Sequence, residues 1–322
     1  MVKVKPNANF YSLGGSSVHE SKSGEYIEYR RKWEENPKNF ILNDFPIDLD
    51  IESTSRCNLR CTFCDKLPLM SKDQFGDMNY EMYTKIIDEG REYGLAAVKL
   101  SYRGEPLLHP KISEMVHYAK KCGVIDVYFN TNAMLLTENM IQKLVDAGLD
   151  RISVSIEGTD AEKFEKNRKG AKLSVIKKNL EALLEIRKQG GLNYPKVRIQ
   201  TIFSLEDDTD KYVKTWRPFC DEVAAVDYKD ESKREKGIVY DWACPQLWQR
   251  MTIEWDGTIL PCNNDDLRTI SPGNVKKNTI FECWHDERLN TARELHKSGR
   301  SDEVEDCDGC PWRTAQISKL TK

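Results

Sequence analysis

The sequence predicts an α/β fold: an open barrel of six β/α units, a partial (β/α)6 barrel, followed by a small C-terminal α+β module. Three observations carry that prediction. Short strand-like runs alternate with longer helical patterns from residue 47 to about residue 228. The rhythm then stops at a charged linker, DESKREKG, beyond which the chain reads as a hairpin and a helix. The cysteines also fall into two groups, one just after the first strand-like run and one near the end of the chain.

The elements follow in order. Residues 1–46 are polar and irregular, with one charged helical stretch around 26–35, and read as an extension packed on the main body. Strands are expected at 47–53, 97–102, 126–131, 151–157, 196–203 and 222–228. Helices are expected at 79–93, 110–122, 137–147, 159–189 (broken near Gly170) and 208–219, with Thr137 and Thr159 as helix starts. Six β-then-α units imply a parallel sheet with right-handed crossovers, TIM-like but too short for eight strands. This main body spans 47–230. Chemistry in such folds sits at the C-terminal ends of the strands, where the first cysteine group falls. The tail, 231–322, opens with RMTIEWDGTILPC, a hairpin turning at Asp256-Gly257, followed by a helix around 287–296.

Composition narrows the function. Among 322 residues, 49 Lys+Arg nearly balance 52 Asp+Glu, so no global charge argues for nucleic acid or an anionic membrane. No apolar run approaches a membrane span, and the N-terminus MVKVKPNANFYS lacks the apolar stretch of a signal peptide. A cytoplasmic location is the expectation. A reducing compartment disfavours structural disulfides, so clustered cysteines read as metal ligands or catalysts. The His residues are scattered, and no HExxH or GxGxxG pattern supports hydrolytic zinc or dinucleotide chemistry.

The first group is Cys57, Cys61 and Cys64, spaced C-x3-C-x2-C. Three thiolates on a tight loop hold three irons of a [4Fe–4S] cube and leave the fourth open. Structural zinc wants four ligands and fits this spacing poorly. The second group is Cys244, Cys262, Cys307 and Cys310. Four thiolates fully ligate a cube, and a four-cysteine zinc site has the same ligand count, so both readings stand. Cys122, Cys220 and Cys283 stand alone and read as small buried hydrophobes, with hydrogen-atom donation as the other reading.

The run Cys57-Asn58-Leu59-Arg60-Cys61-Thr62-Phe63-Cys64 resembles the signature of radical S-adenosylmethionine (SAM) enzymes. Tyr102-Arg103-Gly104-Glu105-Pro106 looks like the family's GGEP motif with Arg for the first Gly. Phe129-Asn130-Thr131-Asn132-Ala133 resembles its TNG turn with Ala for Gly. Ser153-Val154-Ser155-Ile156-Glu157-Gly158 is similar to its SxDG strand with Glu for Asp. In the tail, Gly257-Thr258-Ile259-Leu260-Pro261-Cys262, Gly273-Asn274-Val275 and the Cys283-Trp284-His285 helix resemble the SPASM and shorter twitch modules. Four grouped cysteines imply one auxiliary cluster there, an arrangement similar to that of the twitch-type 2-deoxy-scyllo-inosamine dehydrogenase.

The resemblance implies the cofactors: SAM, a SAM-binding [4Fe–4S] cluster on Cys57, Cys61 and Cys64, and an auxiliary [4Fe–4S] cluster on the four tail cysteines. It also implies the SAM contacts. Glu105 would accept from the SAM ammonium, Gly104 would allow close backbone approach and Phe63 would lie near the adenine. Asn130, Asn132 and Ser155 would reach polar groups, and Arg168 sits where relatives place an Arg for the SAM carboxylate. Turn chemistry is the other reading of Asn130, Asn132 and Ser155. The activity implied is an oxidoreductase that makes a 5′-deoxyadenosyl radical and oxidises an alcohol of a small polar molecule: a sugar, nucleotide sugar or aminocyclitol. Flavodoxin or ferredoxin would supply electrons. The alternatives are a peptide-modifying enzyme and a non-catalytic iron–sulfur or zinc protein.

Overall fold

The computed structural model of the protein describes residues 2–7, 10–20, 23–64, 75–202, 208–227, 234–265 and 268–320. Phe203, Tyr228 and the start of the charged linker lie outside the described residues.

Phe10–Gly15 forms β1 and Gly24–Asn39 forms α1, a longer helix than the sequence predicts. β2 (Asp48–Ile51) opens the main alternation, and Arg60–Cys61 makes the short strand β3. Next come α2 (Tyr80–Glu92), β4 (Ala97–Lys99), α3 (Ile112–Lys121), β5 (Asp126–Thr131), α4 (Glu138–Ala147) and β6 (Arg151–Ser155). α5 (Ala161–Asn167), β7 (Arg168–Lys169) and α6 (Leu173–Gln189) lead to β8 (Lys196–Ile202), α7 (Thr209–Trp216) and β9 (Glu222–Val226). Strands β2, β4, β5, β6, β8 and β9 lie side by side in chain order, each pair parallel. This is the partial (β/α)6 barrel.

The strands alternate, and the alternation positions the site. Leu49, Ile51, Val98, Val127, Phe129, Ile152, Val154, Val197 and Ile199 are buried in one core beneath the helices. Burying each such side chain contributes about 1.5–3 kcal/mol. The other face of the same strands carries Asp48, Asp50, Lys99, Asp126, Asn130, Arg151, Ser153 and Arg198, a polar barrel interior. Helix boundaries follow local chemistry. Thr137 caps α4 as expected, accepting from the Met140 amide, and Gly148 closes it in the left-handed region. At α5 the cap is Asp160, not Thr159, because the helix starts one residue later than predicted. The break near Gly170 is β7, after which Gly170 takes a φ of +98°.

One end of the barrel is closed. Tyr26, Tyr29 and Trp33 of α1 pack with Ile47, Ala97 and Tyr128 at the strands' N-terminal ends. Ion pairs fill the interior beside them: Arg151 reaches Asp126 at 2.8 Å, and Arg198 reaches Glu222 at 2.8 Å. The interior therefore opens at the C-terminal ends of the strands.

Beyond the barrel, β10 (Arg250–Ile253) and β11 (Thr258–Leu260) form the hairpin predicted at Asp256-Gly257, with Gly257 at φ +92°. β12 (Gly273–Asn274), α8 (Ile280–Trp284), α9 (Glu287–Lys297) and α10 (Pro311–Leu320) follow. Local pattern did not reveal how this hairpin joins the rest. β10 pairs in parallel with β2, Arg250 beside Asp48 and Ile253 beside Ile51. At the far edge β1, also unforeseen, adds antiparallel to β9. One ten-stranded sheet thus runs β1-β9-β8-β6-β5-β4-β2-β10-β11-β12. No helix among the described residues is long and apolar enough to cross a membrane.

Candidate functional site

The front cysteine loop leaves the C-terminal end of β2 and is braced by three later loops. Behind it, Gly104 packs so closely that a Cβ there would come within 2.1 Å of the Thr54 carbonyl oxygen and 2.6 Å of the Arg56 carbonyl oxygen. The adjacent Glu105 amide donates to Arg56 O at 2.8 Å. After β5, Asn132 donates from Nδ2 to Asn58 Oδ1 at 2.8 Å. After β6, β7 pairs antiparallel with β3, setting Arg168 beside Cys61, and the Thr62 amide donates to Asn167 O at 2.9 Å. Cys57, Cys61 and Cys64 are half-buried and unbridged. Burial pushes the Cys61 thiol up to about 11, Arg168 opposes that, and the charges of Cys64 and Cys57 add to it.

The Glu105 carboxylate is 2% exposed. Its Oε1 accepts from Thr131 Oγ1 at 2.6 Å and the Leu107 amide at 3.2 Å, and its Oε2 accepts from the Asn132 amide at 2.8 Å. Burial raises its pKa while these three donors pull it down. A carboxylate has about four acceptor sites, so one direction on Oε2 is left for a further donor. Asn132 helps to build the turn, its Oδ1 accepting from the Met134 amide at 3.0 Å. The next residue, Ala133, holds φ at +58°, which accounts for the Gly that relatives carry there. Asn130 lies half-buried on the inward face of β5, and its amide donates to Ser101 Oγ. Ser155 ends β6 beside Gln200, half-buried on the same inward side.

Arg168 is 8% exposed and pairs through Nη2 with Glu157 Oε1 at 2.7 Å. Its Nη1 lies 3.9 Å from Cys61 Sγ, and its guanidinium sits 5.3 Å from the Phe63 ring centre. The Glu that replaces the usual Asp therefore has a use here, clasping Arg168 against the cysteine loop.

A second departure has a similar explanation, which sequence reasoning missed. Arg103, in place of a Gly, donates from Nε and Nη2 to the two Glu52 oxygens at 2.7 Å each, and reaches Glu254 at 2.6 Å. Arg268 takes the other Glu254 oxygen at 2.6 Å. Glu52 and Glu254 each follow the end of a neighbouring strand, β2 and β10, so this network, buried at Arg103, Glu52 and Glu254, ties barrel to tail. The sequence signal was present, a charged residue where the motif asks for glycine, but its partners are distant in the chain.

The tail cysteines line one pocket. Cys244 begins a short 3-10 turn, Cys262 follows β11, and Cys307 and Cys310 precede α10. Trp242, Leu247, Pro261, Ile270 and Trp312 wall it. Burial pushes the Cys262 thiol up to about 12, with Cys310 adding to the rise, and Cys307 feels Cys310, Cys244 and Cys262 together. Among the described residues no three His, Cys, Asp or Glu side chains converge tightly enough for a single metal ion. A cube takes each thiolate on a different iron and accepts wider spacing. Three sulfurs in front and four behind match the ligand counts of an open and a closed [4Fe–4S] cube. Next to the pocket, the residue after Cys262 enters the barrel: Asn263 Nδ2 lies 3.5 Å from Asp50 Oδ2. Of the lone cysteines, Cys220 and Cys283 are buried and Cys122 is half-buried at the end of α3.

The chain matches the radical SAM superfamily over residues 51–211 and an iron–sulfur cluster-binding domain, SPASM, over residues 244–311. It is 33% identical over 180 residues to a probable GTP 3′,8-cyclase of Methanococcus maripaludis, a stretch that spans 54% of each chain. It is 26% identical over 318 residues to the tungsten-containing aldehyde ferredoxin oxidoreductase cofactor-modifying protein of Pyrococcus furiosus, covering 82% of this chain and 88% of that one. Among solved structures, BtrN in complex with AdoMet and 2-DOIA superposes with a TM-score of 0.58 at 18% identity, covering 82% and 93%. Streptococcus suis SuiB bound to precursor peptide SuiA gives 0.53 at 14%, covering 89% and 74%. At such identities these likenesses speak for the fold. The braced cysteine loop at the mouth of the barrel, the second cysteine pocket and these matches agree: the chain belongs to the radical SAM superfamily, with SAM and SAM-binding and auxiliary [4Fe–4S] clusters as its cofactors.

Proposed function

We propose that Cys57, Cys61 and Cys64 hold the SAM-binding cluster, that Cys244, Cys262, Cys307 and Cys310 hold the auxiliary cluster, and that the enzyme oxidises an alcohol of a small polar substrate to a ketone. When bound, these groups supply reductive cleavage of SAM to a 5′-deoxyadenosyl radical and a one-electron acceptor. The chain's own residues bind, orient and screen. Glu105 offers its remaining acceptor direction to the SAM ammonium, and Arg168, already neutralised by Glu157, keeps Phe63 and the Cys61 strand in place for the adenine and carboxylate. Gly104 serves the loop by letting backbone pack on backbone. Asn130 and Ser155 are the inward-facing groups left for SAM, whereas Asn132 acts by fixing Asn58.

One observation carries the choice of substrate and outcome: the meeting of Asn263 with Asp50 inside the barrel. Asp50 also takes Arg250 at 3.0 Å and Lys99 at 3.9 Å. This charged cluster close to Cys262 suits hydroxyl, amino or phosphate groups better than an apolar side chain. The balance of the reaction is simple. In such an oxidation the substrate carbinol would lose a hydrogen atom from carbon, a proton from its hydroxyl and one electron, with SAM at the front site supplying the hydrogen-atom acceptor and a cluster on the tail cysteines the electron acceptor. Flavodoxin or ferredoxin supplies the electron that cleaves SAM.

Anaerobic reconstitution with iron, sulfide, dithionite and SAM tests the reading. 5′-Deoxyadenosine should be released, and release should rise with polyols or amino sugars. A fully loaded protein that releases none is not this enzyme. Stimulation by a peptide instead, with polyols inert, favours the peptide-modifying alternative.

A further inference from the structure

Behind the auxiliary pocket, whose lining also includes Asp265, Asp306 and Arg313, lies a histidine that the function above does not use. His296, on α9, is completely buried. Its Nδ1 lies 3.0 Å from the backbone nitrogen of Cys244, and its Nε2 lies 3.3 Å from Cys307 Sγ. The first contact fixes the ring. A backbone N–H can only donate, so Nδ1 must present its lone pair and carry no proton. The single ring proton then sits on Nε2 and points at sulfur. The same contact excludes the doubly protonated ring, which has no acceptor. Trp242 flanks the imidazole at 6.1 Å between ring centres. Turning the ring over would break both contacts at once. One side chain thus grips the backbone of one cysteine and the sulfur of another.

We infer that His296 is a positioning residue for the auxiliary site, donating an Nε2–H···S hydrogen bond to Cys307 that raises the reduction potential of the cluster held there. This rests on the four-cysteine ligation proposed above. The physical reason is charge. Reduction adds negative charge that spreads onto the thiolates, and a donor aimed at one sulfur stabilises the reduced form more than the oxidised form. A higher potential suits a group that takes an electron from a substrate. No proton transfer is involved, because the imidazole keeps its proton in both states.

The test uses the full chain with Cys57, Cys61 and Cys64 replaced by Ala, so that only the tail loads iron. An iron count near zero in that protein removes the four-cysteine reading itself. With iron loaded, the reduced protein labelled with 15N-histidine should display a 15N hyperfine coupling in pulsed EPR. A loaded, reduced cluster without that coupling overturns the inference, and no substitution is needed to see it. In the same background, His296→Leu should lose the coupling and shift the midpoint of an EPR-monitored redox titration downward. His296→Gln, which keeps an N–H, should fall between Leu and His. Equal midpoints for all three at equal iron content also overturn it.

Discussion

The front loop keeps three half-buried cysteines at the open end of the barrel, whereas the tail gathers one buried and three half-buried cysteines in a pocket walled by Trp242 and Trp312. The two are also held differently. Backbone and one ion pair brace the first: Gly104 against Thr54, β3 against β7, and Arg168 with Glu157. Apolar packing and buried side chains such as His296 and Arg313 brace the second. The difference follows from what each site admits. A site that takes in a ligand keeps one side open and finds its rigidity behind. A four-thiolate site needs no open coordination position and can be walled by apolar side chains.

Exchanging the cysteines is the strongest way to break that contrast. Replacing Cys57, Cys61 and Cys64 with Ala should take the reconstituted protein from about eight irons to about four and abolish release of 5′-deoxyadenosine. Replacing Cys262 and Cys310 with Ala should remove the same amount of iron yet leave SAM cleavage measurable. If both variants lose cleavage alike, the two sites are not functionally distinct.

The supports come next. Arg168→Met leaves Glu157 buried without its partner and should cost about 3–5 kcal/mol in denaturant titration, together with loss of the front iron. Trp312→Ala opens the tail pocket and should cost a similar ~3–5 kcal/mol, with iron lost from the tail alone. A front-site loss in the second variant would contradict the separate bracing.

A control lies at the far end of the barrel. Burial would lift the Asp221 carboxyl, but Arg187, at 2.8 Å, and the Val197 amide hold it below its usual range. A depressed folded value stabilises above the unfolded pKa and is lost as pH falls through it. Arg187→Met should therefore be less stable than wild type at neutral pH, by about 1–3 kcal/mol, and converge with it in acid. Its iron content should stay unchanged. The smallest effect is expected at Ala133. Ala133→Gly relieves a left-handed φ, offset by the entropy of the unfolded chain, and should gain up to about 1 kcal/mol by thermal melt.

These sites differ in how much of them the sequence carried. Cysteine spacing is local, so both groups were legible without a structure. So was β5, where DVYFNT alternates cleanly between core and interior. β4 ends at Lys99 rather than residue 102, and beyond it the Asn130 amide of β5 is met by the Ser101 hydroxyl instead of a ladder carbonyl. What stayed hidden depends on distant partners. FYSLGG falls inside a stretch that reads as polar and irregular until β9 is beside it. Arg103 looks like a damaged motif until Glu52 and Glu254 arrive from either side. His296 is one of five scattered histidines, and only tertiary packing brings it to Cys307.

The parallel pairing of β10 with β2 also constrains how the chain is made. Asp48 leaves the ribosome some two hundred residues before Arg250, the neighbour that covers its edge. Until then the opening strand of the barrel has a bare side, a long-range contact of the kind that slows folding. Cys262 follows that same hairpin, so the tail's sulfurs are gathered only once the sheet has received its late strand. Iron delivered earlier would meet cysteines that nothing yet holds together.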